Sequence, residues 1–153
     1  MKLPDKALVI AYNKAPFVTC DYDILSEIYK CSLFQTGNGR KSYLYTTYRL
    51  VILFFKIILE KYSLVYVWGL DFNSIIPAIL KNVLKFKLII VPLGYELDRI
   101  DEISYGNNSK FREFLTLYSA SKADKIICQS MYMSIQAKKY GFDVDTVYLC
   151  IQN

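Results

Sequence analysis

Histidine is absent from this sequence. That absence rules out a Cys/His zinc site, a Ser-His-Asp triad and an imidazole general base supplied by this chain. Cysteine is sparse, with residues at positions 20, 31, 128 and 150 and no Cys-x-x-Cys spacing. Cys128 and Cys31 fall in apolar, strand-like runs and read as small buried thiols, and no metal site is expected. Glycine and proline are also scarce, at six and four residues. The loop after the first apolar run has neither Gly-x-Gly-x-x-Gly nor Gly-x-x-x-x-Gly-Lys-Ser/Thr, which weakens a nicotinamide-dependent oxidoreductase and excludes a P-loop there. There is no internal repeat and no low-complexity segment.

What is present is enough apolar material for one sizeable core: 54% of 153 residues, the length of an ordinary single domain over 1–153. The net charge of +5, with 14 tyrosines and 9 phenylalanines, suits an anionic sugar, nucleotide, nucleic acid or lipid surface without choosing among them. MKLPDK at the amino end leads straight into a strand, so no cleavable secretion signal is expected. A reducing cytosol is the expected compartment.

Residues 6–12 (KALVIAY) form the first strand, followed by a loop over 13–20 and a helix over 21–30, with Asp21 and Asp23 near its positive end. A second strand over 31–36 closes in GNGRK at 37–41. Residues 42–62 then make a helix that is apolar almost all round, interrupted mainly by Arg49, Lys56 and two threonines. A crossing needs roughly 20 apolar residues, and two cations inside the run argue against one. Two readings stay open for it. Either it packs against the sheet, or it lies at a membrane surface with Arg40, Lys41, Arg49, Lys56 and Lys61 near headgroups.

The strand at 63–70 (SLVYVWGL) ends at Gly69, and Asp71 and Ser74 can cap the helix that runs from there to about residue 85. A strand from 87 closes at Gly94, with Pro92 near its end, and GNNS at 106–109 reads as turn and cap. Helices over 111–122 and 130–140, the latter stopped by Gly141, flank a strand at 123–128, and 145–151 makes the sixth strand. Strands without polar alternation are buried on both faces. Their alternation with helices predicts an α/β fold, a doubly wound, mostly parallel six-stranded Rossmann-like sheet. Ligands in such sheets sit beyond the carboxyl ends of the strands, which directs attention to residues 94–98 and to Gln129 and Ser130.

ADKIICQS at 123–130, a helix ending at Tyr140-Gly141, and VYL at 147–149 together resemble the closing part of the amino-terminal half of GT-B glycosyltransferases, above all the family-four retaining group. The usual text there is Ala-Asp-x-Ile-x-x-x-Ser, a helix ending in x-x-Gly, and a strand leading through an Asn into the interdomain linker. IQN at 151–153 is similar to that last passage. LVYVWG at 64–69 resembles the family's third strand, and VPLGYE at 91–96 resembles its strand ending in His-Gly-x-Asp.

The resemblance implies one half of a GT-B fold, the acceptor-side domain of an enzyme that moves a sugar from a nucleotide-sugar donor. The donor would be a co-substrate, with no other cofactor. The expected partners are a sugar or lipid-linked acceptor and a donor-binding carboxyl-terminal domain or subunit, with an anionic membrane surface as a further candidate and no nucleic acid. Gly94 and Glu96 match the family's Gly and acidic positions, Tyr95 and Trp68 can stack on a sugar face, and Ser130 can donate at a helix start. Asn13 and Lys14 would meet a donor phosphate across the cleft. Each has a plainer alternative: Gly94 as a turn, Glu96 paired with Asp98 and Arg99 on the surface, Ser130 as an N-cap, Asn13 and Lys14 as solvated loop, Trp68 as core. The chain departs from the pattern at Leu93, where the family often has histidine, and the Glu-x7-Glu donor motif is missing. No catalytic residue is assigned, and turnover by this chain alone is not expected. The rival from another class is a non-catalytic, doubly wound binding module that meets a membrane or a partner protein through the helix over 42–62.

Overall fold

The computed structural model describes residues 5–37, 43–100, 105–106 and 109–148. In chain order the elements are β1 (Lys6–Ala11), α1 (Pro16–Ser26), β2 (Lys30–Gln35), α2 (Tyr43–Glu60), β3 (Leu64–Trp68), α3 (Phe72–Lys81) and β4 (Lys87–Val91). There follow β5 (Arg99–Ile100), β6 (Tyr105–Gly106), α4 (Lys110–Lys122), β7 (Lys125–Cys128), α5 (Met131–Lys139) and β8 (Val144–Thr146). Six strands form one all-parallel sheet in the order β2-β1-β3-β4-β7-β8.

Every residue of β3 is buried, as expected for a strand covered on both faces. Alternate residues serve two cores. Leu8, Ile10, Val65, Val67, Leu88 and Ile90 pack under Leu53 and Ile57 of α2, Ala78 and Leu80 of α3, Ala120 of α4 and Ala137 of α5. Val9, Ala11, Tyr66, Trp68 and Val91 face the other way, against Val18, Tyr22 and Leu25 of α1. Four helices thus cover one face and α1 the other.

Several boundaries differ from the sequence reading. Helix α1 begins at Pro16, five residues earlier than expected, because proline at the first helical position fixes φ and needs no amide partner. Asp21 and Asp23 therefore lie inside the helix, and the Asp21 carboxylate turns to the sheet to accept a 2.7 Å bond from the Tyr66 hydroxyl. Strand β4 stops at Val91, before Pro92, and β8 stops at Thr146, with Val147 and Tyr148 exposed. Residues 149–153, including the expected last turn of that strand, lie outside the described residues, as do Arg40 and Lys41. A short antiparallel hairpin, β5 with β6, stands apart from the main sheet where a loop was expected.

Arg49 and Lys56 correct the placement of α2's cations near headgroups. The Arg49 guanidinium turns back to the Gln35 carbonyl at 2.6 and 2.9 Å and covers the Phe34 ring. Lys56 pairs at 2.6 Å with Glu60, one turn on. Cys128 is buried as expected, whereas Cys31 is only half-buried and Cys20 is exposed.

Candidate functional site

All six parallel strands end on one rim, and the loops that leave it carry the candidate residues. Asn13 and Lys14 lie exposed between β1 and α1. Gly94 and Tyr95 follow β4, and Ser130 follows β7. Gly94 has φ near +102° with open space around its α-carbon, so the backbone there is bare toward solvent.

Behind these residues runs a buried polar network. Gly69, at φ near +103°, turns the chain after β3 so closely that an added Cβ would lie 3.0 Å from the Asn73 amide nitrogen. Asn73 Nδ2 donates to the Trp68 carbonyl at 2.8 Å, and its Oδ1 accepts from the Thr36 hydroxyl at 2.6 Å. The loops after β2 and β3 are thereby joined to the first turn of α3.

Glu96 joins the loop after β3 to that after β4. It is 2% exposed, and its oxygens accept from the Leu70 amide at 3.0 Å and the Leu93 amide at 2.9 Å. Glu96 is therefore not the surface residue that the sequence reading allowed, because its carboxylate turns inward. Asp98 accepts from the Tyr132 hydroxyl at 2.9 Å. Burial pushes the Glu96 carboxyl up to about 7, overcoming the Leu70 amide, which favours the charged form, while the Asp71 charge adds to the rise.

The Tyr95 hydroxyl donates to Asp71 Oδ2 at 2.9 Å. Burial, then the charges of Glu96 and Asp71, hold this phenol far above its ordinary range, so it stays a donor. Asp71 was expected to cap α3 with its side chain. It sits at the N-cap, but its carboxylate serves Tyr95, and its carbonyl accepts from Ser74 Oγ at 3.0 Å. Ser130 makes the plain cap: Oγ accepts from the Met133 amide at 3.2 Å. Beside it, Gln129 Nε2 is buried without a hydrogen-bond partner.

Trp68 is 2% exposed and packs 4.6 Å from the Phe17 ring, which removes it as an exposed sugar platform. Its Nε1 lacks a hydrogen bond of good geometry, yet lies near enough to the Asp21 carboxylate to favour the charged form. Burial outweighs that help and raises the Asp21 pKa.

A hollow of about 520 Å³ lies at the other end of the sheet, lined by Asp124, Lys125, Tyr140 and Phe142 around the start of β7. Asp124, from the Ala-Asp-x-Ile stretch, has a structural task there. It accepts from the Leu88 amide at 2.6 Å and pairs with Lys81, tying the starts of β4 and β7 together. Among the described residues no group of three or more acidic or cysteine side chains is placed to hold a metal.

The rim, its glycine turns and the strand order now bear comparison with solved structures. The chain superposes on UDP-N-acetylglucosamine 2-epimerase from Rickettsia bellii with a TM-score of 0.66, at 13% identity, over 93% of this chain and 44% of that one. The UDP-GlcNAc 2-epimerase from Methanocaldococcus jannaschii gives 0.60 at 12% identity, over 93% and 45%. The all-parallel six-stranded α/β fold resembles one half of these GT-B-like epimerases. No protein-family model and no curated protein matches the sequence. At such identity the likeness establishes the fold, and the chain spans less than half the length of either epimerase.

Asn13, Lys14, Gly94, Tyr95 and Ser130 were each singled out from the sequence and lie on loops at the carboxyl ends of strands. Thr36, Asp71 and Asn73 were not recognised as parts of the site. The signal for the last two was the polar pair at 71 and 73 just after Gly69, where β3 hands over to α3.

Proposed function

We propose that this chain is the acceptor-side half of a nucleotide-sugar glycosyltransferase, forming one wall of a cleft whose other wall binds the donor. The observation that carries the reading is the rim itself: loops after β3 and β4 fixed by Glu96 and Asp71, with bare backbone at Gly94 above them. Pre-set loops hold a ligand without the cost of ordering them at binding. Gly94, Tyr95 and Ser130 bind the acceptor. Asn13 and Lys14 stand on the donor-phosphate side. Glu96 acts behind them as a positioning residue, since both its oxygens are committed to amides.

Backbone NMR of the protein with a series of alkyl glycosides as acceptor surrogates tests the reading. Shifts should cluster at residues 94–96 and 129–130. Shifts confined to the hollow by Asp124 and Tyr140, or none at millimolar glycoside, overturn it. Sustained transfer from labelled nucleotide sugars by this chain alone would contradict the half-site corollary.

A further inference from the structure

Helix α2 buries Leu53 and Ile57 against the sheet and leaves a second apolar stripe facing away from it. Leu44, Tyr48, Val51, Phe55 and Leu59 are 85, 62, 50, 54 and 75% exposed. Their spacing of four, three, four and four residues puts them on one line, and the helix's own charged side chains are drawn off it into the Gln35 and Glu60 contacts. The same layer continues sideways. Helix α3, packed between α2 and α4, exposes Ile79, with Val83 just past its end, and α4 exposes Phe111, Phe114 and Leu117. Scattered exposed apolar residues need no explanation, but a face drawn from three adjacent helices does.

Charge decides what covers it. Exposed cations stand at the margins of this layer: Lys61 after α2, Lys85 after α3, Lys110 and Arg112 in the first turn of α4, Lys138 and Lys139 in the last turn of α5. Among the described residues, Glu60 is engaged by Lys56 and Tyr62 and Asp124 by Lys81, Glu113 is half-buried, and Asp143 past α5 is an exposed carboxylate near Lys138 and Lys139. Across the sheet, α1 exposes Asp23 and Glu27 instead. Among the described residues no helix is long and apolar enough to cross a membrane.

We propose that the outer face of the helix layer docks on an anionic lipid bilayer, the protein lying on the surface with its aromatic and aliphatic stripe in the headgroup boundary and its marginal lysines on lipid phosphates. A second copy of the chain fits less well, because two-fold pairing would bring like-charged margins together. Helices α2 and α4 begin at the carboxyl ends of β2 and β4, so Leu44, Tyr48 and Phe111 border the same rim as Tyr95. A lipid-borne acceptor would reach the rim from the surface. Docking itself does not depend on the sugar-transfer reading, and its test uses no sugar.

The experiment is co-sedimentation of the protein with vesicles of phosphatidylcholine alone or mixed with phosphatidylglycerol. Binding is expected to the anionic vesicles, and to fall steeply with salt. The double variant Phe55→Ser/Leu59→Ser should bind about tenfold or more weakly, and Lys85→Glu/Lys110→Glu should lose about fivefold per charge. Ile24→Ser/Ile28→Ser, one exposed residue in α1 and one just past its end, should bind as the parent does, with circular dichroism confirming that all variants are folded. No binding to anionic vesicles, or equal loss in the α1 control, overturns the proposal. A dimer in light scattering that the Phe55/Leu59 variant abolishes, without vesicle binding, assigns the face to a second copy instead.

Discussion

Tyr95 and Asp71, 24 positions apart in the chain, meet through a 2.9 Å hydrogen bond that clamps the loop after β4 onto the start of α3. Because Asp71 is buried, removing its donor leaves a carboxylate oxygen short of a partner. Tyr95→Phe should therefore lower stability by about 1–3 kcal/mol in urea titration. It should also broaden the amide signals of residues 93–96. An unchanged midpoint would show that the clamp does not hold the loop.

Glu96 gives the protein a pH dependence opposite in sign to that of an ordinary paired carboxylate. Its carboxyl ionises at 4.5 when unperturbed and at about 7 in the folded chain. Between those values the folded state holds the additional proton, so this group's contribution to stability is present below the unfolded pKa and lost as pH rises through the folded one. The difference is on the order of 3 kcal/mol. Glu96→Gln removes the titration while keeping an acceptor for one amide. Parent minus variant stability should fall by about that amount between about pH 4 and about pH 8, and a flat difference would refute the assignment.

Asp124 runs the other way. Burial opposes its charge, but Lys81 and the Leu88 amide outweigh burial and hold its carboxyl below the usual value. Its stabilisation is present above the unfolded pKa of 3.8 and lost as pH falls through the lower, folded one. The side chain is 46% exposed, so screening limits its worth. Asp124→Ala should cost about 1 kcal/mol at neutral pH and nothing in strong acid, by thermal melts across pH.

Gly106 and Gly141 separate steric cost from conformational cost. Both have positive φ, near +87° and +80°, but a Cβ at Gly106 would lie 2.0 Å from the Asp98 carbonyl oxygen, while Gly141 faces open space. Gly141→Ala should cost about 1–2 kcal/mol, the price of a left-handed residue. Gly106→Ala should cost more and open the β5–β6 hairpin, seen as faster hydrogen exchange at residues 99 and 105–106. Equal costs would mean that the hairpin yields without strain.

The sequence by itself determined most of the local structure. Unbroken apolar runs at 63–70 and 87–91 gave buried parallel strands, Ser130 gave an N-cap, Gly69 and Gly141 gave stops, and the order of elements gave a doubly wound sheet. The resemblance in three short stretches likewise pointed to half of a GT-B-like fold. Pro16 is the exception, since it opens a helix inside a stretch whose composition reads as loop. Tertiary structure alone decided the direction of side chains whose partners lie far along the chain. Glu96 turned inward because amides at Leu93 and, 26 residues away, Leu70 were left to satisfy. Arg49 left its own helix for a strand-end carbonyl at Gln35. Which stripe of α2 meets the sheet could not be read from a helix apolar on every side, since periodicity fixes the faces but only the partner surface selects one.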